Sequence, residues 1–564
     1  MYAPNPDRVR RGTLTRRAAI GASVAGALSL PHAGRLLAAQ STPEADGNVL
    51  RVPLYPHGEP ISLDPHRAAN WGPHWVMLPN VWTGLLGFDE NGKVVQVLAN
   101  TIEPEDDGAT WVATIAPGAA FASGNPITAQ ALIDGWKRAI DPVRIAPMAT
   151  YMRRVDGFDA YATGESDDIG FEARDETTVA IRLAEPYAFF PEDLATFVWA
   201  AVDVAALDGV SDADAPFAGA SAGPWQFVQS DDPAAIRMSP SPSTGGQMAV
   251  DAIEWMVFDG PQAAETAIAA FRDGTFPIAD VPDPLRSEVE GDLQTVPLSG
   301  STMMIGMDLT QAPFDNPDVR RAVALAIDRT AWATDIMGGG FAPAGSLTPP
   351  VLSNTADYAA PELPAFDPDT ARSLISGAGI TEEEMPLVIY HQAASSPQAE
   401  IDHAAALLQM IQDNSGLVIE HDTTLTAEQI EGLRGDNGGL QFDIRWWWPL
   451  TNSPSGLAAI GLPDAAAMVG WFNWSPELEN EDLAQAAEQF TTLIGDALVS
   501  LDTAERQQKF AQAESLLVDN AVYVPLGHWT QAWVQSPVLT GTRQGAFTGY
   551  VPVAFDEGVT WQPE

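Results

Sequence analysis

The spacing of apolar and polar residues switches repeatedly along this chain between a period of two and a period near 3.6. The alternating runs 111–115 and 177–183 read as short strands, as do 49–54, the buried-looking 302–308, 387–390, 417–420 and 523–526. Helical spacing appears at 129–140, where Thr128 is placed to cap, and again at 263–273 and 399–412. The best specified helix carries Val319, Ala322, Val323, Ala326 and Ile327 on one face, with Pro317 in its first turn and Asp315 or Asn316 as cap. Another starts at Asp367 and ends at Gly377 or Gly379, and residues 480–519 read as helical throughout. Between 367 and 448 strands and helices alternate, which implies a parallel or mixed sheet and an α/β fold.

One stretch concentrates aromatic residues. From Phe442 to Trp448 the two-residue period puts Phe442, Ile444, Trp446 and Trp448 on one face, with Asp443, Arg445 and Trp447 on the other, and Pro449 ends the pairing. Indoles are large and each carries an N–H that needs a partner, so a cluster at a strand end suits the wall of a ligand site as well as a core.

At 564 residues the chain exceeds one ordinary core, so two or more lobes are expected. Apolar residues at 46% and charged residues at 18% describe a folded globular protein. A net charge of −47 repels phosphate backbones and anionic lipid, which argues against nucleic acid as a partner. There is no cysteine, which excludes disulfides, thiolate metal sites, a cysteine nucleophile and a lipid-modified N-terminal cysteine. Arg8, Arg10, Arg11, Arg16, Arg17 and Arg35 precede or flank a short apolar run, 18–30. Residues 1–40 therefore read as an export signal. The pair Arg16-Arg17 resembles a twin-arginine signal, so a soluble, exported, extracytoplasmic protein without a lipid anchor is expected.

Gly219-Ala-Ser-Ala-Gly223 matches the nucleophile-elbow pattern of hydrolases, yet Pro224 and the run Trp225-Gln-Phe-Val228 put a turn and a strand where that motif needs a helix. Ser221 is therefore not expected to be catalytic. The histidines 57, 66, 74, 391, 403, 421 and 528 show no close ligand spacing, so they read as satisfied core or surface residues and no metal or cofactor is expected.

A series of segments resembles the solute-binding proteins of ABC importers, family 5, the peptide/nickel type. They are Leu63-Asp-Pro-His66, Gly84-Leu-Leu, the 107–124 run with Thr128, Gly223-Pro-Trp, Phe271-Arg-Asp-Gly274, the 313–329 helix, Phe366-Asp-Pro with Ala371-Arg, and Tyr523-Val-Pro-Leu-Gly-His528. The resemblance implies a two-lobed periplasmic-binding-protein-like fold with mixed sheets, an extra subdomain in the N-terminal lobe and a hinge. The implied lobes are 41–308 plus 522–564, and 309–521. It also implies a cleft that closes on solute for a permease to read, and a monomer is expected. In peptide-binding members an aspartate after the cleft tryptophan holds the peptide ammonium; aligned by Arg445 and Trp448, its place is taken by the neutral Thr451. The resemblance places Asn70, Trp71, Arg445, Trp446, Trp447, Trp448, Thr451, Trp471 and Trp529 at the solute site. An oligopeptide and an oligosaccharide both fit such an aromatic set. A secreted carbohydrate-active enzyme using two carboxylates and a sensory binding protein for a receptor are the competing functions.

Overall fold

The computed structural model describes residues 48–561 apart from 56–59, 70–71, 90–92, 245–247, 261, 283–284, 287–288, 290–292, 297–299, 354–356, 380–387, 436–438, 448–453, 459–471 and 545–552. The export-signal reading of residues 1–40 lies outside these. The chain forms two compact units: one runs to Gln294 and resumes at Ala532, and the other holds Thr295–Gln531.

In the first unit Val49–Leu54 pairs parallel with Ala252–Val257, which continues antiparallel to Ala235–Pro240 and then to Trp225–Val228. A second, antiparallel sheet runs in the order Ala99–Glu105, Thr110–Ile115, Thr178–Arg182, Phe171–Ala173. The helix Ala129–Ala139 starts where expected, because the Thr128 side chain accepts from the Ala131 N–H at 3.1 Å. Its Trp136 is fully buried, stands edge-on to Trp199 at 5.4 Å and donates its indole N–H to the Trp199 carbonyl. Most tryptophans of this unit are thus core. Ser221 is buried in a turn whose carbonyl accepts from Ala122, and the strand Trp225–Val228 follows, so the residue has neither a helix behind it nor an open face.

The second unit is organised around an antiparallel sheet in the order Phe341–Pro343, Tyr523–Trp529, Thr302–Met307, Phe442–Trp447. Thr302–Met307 lies between the other two long strands, pairing with Tyr523–Trp529 on one side and Phe442–Trp447 on the other. The parallel pairing implied by the β-α-β order exists, but only between Val388–His391 and Ile419–Asp422. The third strand of that run joins the antiparallel sheet instead. Periodicity identifies a strand's two faces and leaves its neighbours to tertiary packing.

On one face of the sheet Ile305, Met307, Phe442, Val524 and Leu526 share a core with Val319, Ala322 and Val323 of the helix Pro317–Leu325 and with Ala326 and Ile327, which follow its end rather than continue it as expected. All five expected helix-face residues are fully buried, and Asn316 is the cap, accepting from Asp318 N–H at 2.9 Å. On the other face Gly306 lets Phe472 lie on the backbone; a Cβ at this glycine would fall 2.0 Å from the Phe472 ring. The helical stretch 480–519 is two helices, Glu481–Val499 and Thr503–Asp519. The break comes from Asp502, whose side chain accepts from Glu505 N–H and so starts a new helix rather than continuing the old.

Candidate solute site

The strand Phe442–Trp447 behaves as its two-residue period requires. Phe442 enters the core, stacking on Phe314 at 5.9 Å, Ile444 packs beside it, and Trp446 emerges at the rim of the same face, 40% exposed. Trp446 lies 5.0 Å from Phe341 and meets Trp529 edge-on at 5.8 Å. Phe341 and Trp529 are direct cross-strand partners, and Trp332 supports Phe341 from behind at 5.0 Å. Among the described residues, Trp446 and Trp529 are the tryptophans with accessible indole; the others are buried. They rest on the buried Phe341 ring, and each is held by a neighbour at an aromatic-pair distance, so the three form an aromatic ledge whose open surface is the two indoles.

The opposite face turns inward. Trp447 is completely buried, so this expected site residue packs inside the unit. Arg445 Nε donates to Asp443 Oδ2 at 2.6 Å, with both side chains nearly inaccessible. Two residues apart on one strand face, these charges neutralise each other, and Arg445 brings no exposed positive charge to the ledge.

Asn70, Trp71, Trp448, Thr451 and Trp471 lie outside the described residues. Trp75 is buried edge-on to Phe197 at 4.7 Å. Asn473 donates to Asp308 Oδ1 at 2.9 Å, and Phe472 and Trp474 beside it are core. Phe341 was not expected in the site, since the glycine run before it reads as loop. Its signal is weak: one aromatic after Gly338-Gly-Gly340, in a strand of three residues.

The buried histidines are structural in their contacts. His74 accepts the Ser62 N–H at Nε2 and donates from Nδ1 to the Ala69 carbonyl. Burial pulls both His66 and His74 down to about 4, so they are neutral at physiological pH. His391 pairs with Asp422 at 2.8 Å. Among the described residues no group of three His, Asp or Glu side chains could hold a metal ion, and no helix is long and apolar enough to cross a membrane.

Residues 93–464 match the model of the bacterial extracellular solute-binding proteins, family 5. The chain belongs to that family.

The oligopeptide-binding protein OppA of Bacillus subtilis (strain 168) is 22% identical over 502 residues, covering 86% of this chain and 88% of OppA. The glutathione-binding protein GsiB of Escherichia coli (strain K12) is 26% identical over 486 residues, covering 85% and 89%. Among solved structures, the open, unliganded form of the periplasmic murein tripeptide-binding protein MppA superposes with a TM-score of 0.76 at 20% identity, covering 92% of this chain and 99% of that one. The fold is therefore that of the two-lobed periplasmic binding proteins, as the sequence implies.

Proposed function

We propose that this protein is the exported receptor of an ABC importer, delivering a peptide- or oligosaccharide-like solute to its permease without chemical change. The observation that carries the reading is the ledge of Trp446, Phe341 and Trp529: its two tryptophans are those with accessible indole among the described residues, and Arg445 beneath it is already neutralised by Asp443. Such a surface favours a solute that offers a flat, uncharged face, either a sugar ring or an apolar side chain. Peptide is supported by relatives whose names specify oligopeptide, glutathione and murein tripeptide. Saccharide is supported by Thr451 standing where an acid would hold a peptide ammonium.

Asn70, Trp71, Trp448, Thr451 and Trp471 complete the proposed site by family resemblance, and Trp447 is a supporting core residue. The lobes in this reading are 41–308 plus 522–564, and 309–521, closing on the solute to give the form a permease reads. A thermal-shift screen against di- to pentapeptides and cello-, xylo- and manno-oligosaccharides tests it. A solute at about a hundred times its Kd stabilises the folded protein by about 2.7 kcal/mol, enough to move the transition visibly. No shift with any member of either class would remove the proposal, and release of a cleaved product would make the protein an enzyme.

A further inference from the structure

The rim strand that carries Trp529 has an interrupted ladder on one of its two sides. Pairing between Thr302–Met307 and Tyr523–Trp529 shifts between Met303 and Met304: Met304 faces Pro525 while Met303 faces Gly527. The last residues, Gly527 to Trp529, are thus offset from the core part of the same strand, and a bulge of this kind bends the strand and re-aims its side chains. On its other side the same segment pairs in register with Phe341–Pro343, and side-chain hydrogen bonds reach it from the sheet's inner face.

A chain of buried hydrogen bonds begins at the residue before Trp529. His528 lies directly across from Thr302, which lies directly across from Trp447, and all three are buried. The Thr302 hydroxyl is 2.9 Å from the Leu347 carbonyl and 3.0 Å from His528 Nδ1. A carbonyl can only accept, so the single hydroxyl proton goes to Leu347 and His528 must donate from Nδ1. The histidine is thereby locked in one tautomer, and burial keeps it neutral by lowering its pKa to about 4. Leu347 is anchored in turn: its N–H and that of Thr348 donate to Glu514 Oε1 at 2.8 and 3.2 Å, while the Tyr358 hydroxyl donates to Oε2. Glu514 is fully buried on the helix Thr503–Asp519.

We propose that Thr302 and Glu514 are positioning residues for the aromatic ledge: through Leu347 they hold His528, and with it the bulged strand end that presents Trp529 to solute. Successive strand residues point to opposite faces, so anchoring His528 on the inner face fixes the angle of Trp529 on the outer. The functional half of this inference rests on the ledge being the solute site; the structural half does not.

The test uses full-length protein labelled with 5-fluorotryptophan and, separately, with 15N-histidine. Fluorine signals are assigned by Trp446→Phe, Trp529→Phe and Trp136→Phe variants, and the His528 nitrogens by His528→Gln. In Thr302→Val the His528 nitrogens should lose the Nδ1–H pattern, and the Trp529 and Trp446 fluorine signals should shift or broaden while that of Trp136 stays put. Thr302→Ser should restore both. Tyr358→Phe, at the far end of the chain of bonds, should move the Trp529 signal in the same direction by less, and it keeps the test open should Thr302→Val fold poorly. Affinity for trialanine or cellotetraose, whichever binds, should weaken severalfold in Thr302→Val and recover in Thr302→Ser. A changed tautomer with an unmoved Trp529 signal would overturn the positioning role. Moved ledge signals with unchanged affinity would instead overturn the ledge as the solute site.

Discussion

Asp193 offers a prediction whose size follows from its surroundings. It lies on the short helix Phe190–Leu194, is buried, and has Arg154 Nε 3.7 Å from Oδ2. The ion pair pulls its pKa down and burial pushes it up. Burial wins, because the arginine is long in its contact, partly solvent-exposed and stacked 3.7 Å above the Tyr187 ring, so the carboxyl is raised to about 7. The rise from an ordinary value near 3.8 is about three pH units, or at most about 4 kcal/mol between the two protonation states. The sign is that of an acid which folds best protonated: its contribution is complete below about pH 4 and is lost as pH rises through about 7.

Asp193→Asn keeps the shape of the protonated acid and cannot ionise. The variant should therefore exceed wild type by at most about 1.5 kcal/mol at pH 5 and by about 1–4 kcal/mol at pH 8. Urea denaturation followed by tryptophan fluorescence, at four pH values from 5 to 8, measures the difference. A difference independent of pH, or a variant that loses stability at pH 8, would show that the arginine rather than burial governs this carboxylate.

Gly306→Ala should cost about 1–3 kcal/mol, because its methyl would run into the Phe472 ring, and a urea midpoint measures it. Trp447→Ala should lower stability by about 3–5 kcal/mol and Trp446→Ala by far less, since the first indole is wholly buried and the second sits at the rim. His66, His74 and His528 are each lowered to about 4, so their contribution is complete above about pH 6.5 and is lost as pH falls through about 4. Unfolding at pH 5.5 should accordingly take up protons at these groups, and replacing His74 with glutamine should reduce the uptake seen by calorimetry in buffers of different ionisation enthalpy.

Much of this architecture is legible in the sequence where local chemistry decides the outcome. The faces of Phe442–Trp447, the Thr128 cap and the buried stripe of the 317–325 helix all follow from period and capping rules. The sheet partner of Phe442–Trp447 does not, because the choice between Val388–His391 and Thr302–Met307 depends on long-range packing. Nor does the choice of which face carries its tryptophan to the interior. Trp446 and Trp447 are neighbours of one residue type, and a single step of strand period sends one to the rim and the other to the interior. Phe341 completes the ledge from a three-residue strand too short to carry a pattern.

Titration calorimetry of wild type against Trp446→Ala, with the solute that gives the largest thermal shift, decides whether the ledge binds solute. Removing an indole that covers some 60 Å² of apolar solute forfeits about 1.5 kcal/mol at roughly 25 cal/mol per Å². Affinity should therefore fall about tenfold or more while the unliganded unfolding midpoint barely moves. Equal affinity in the two proteins would contradict the account.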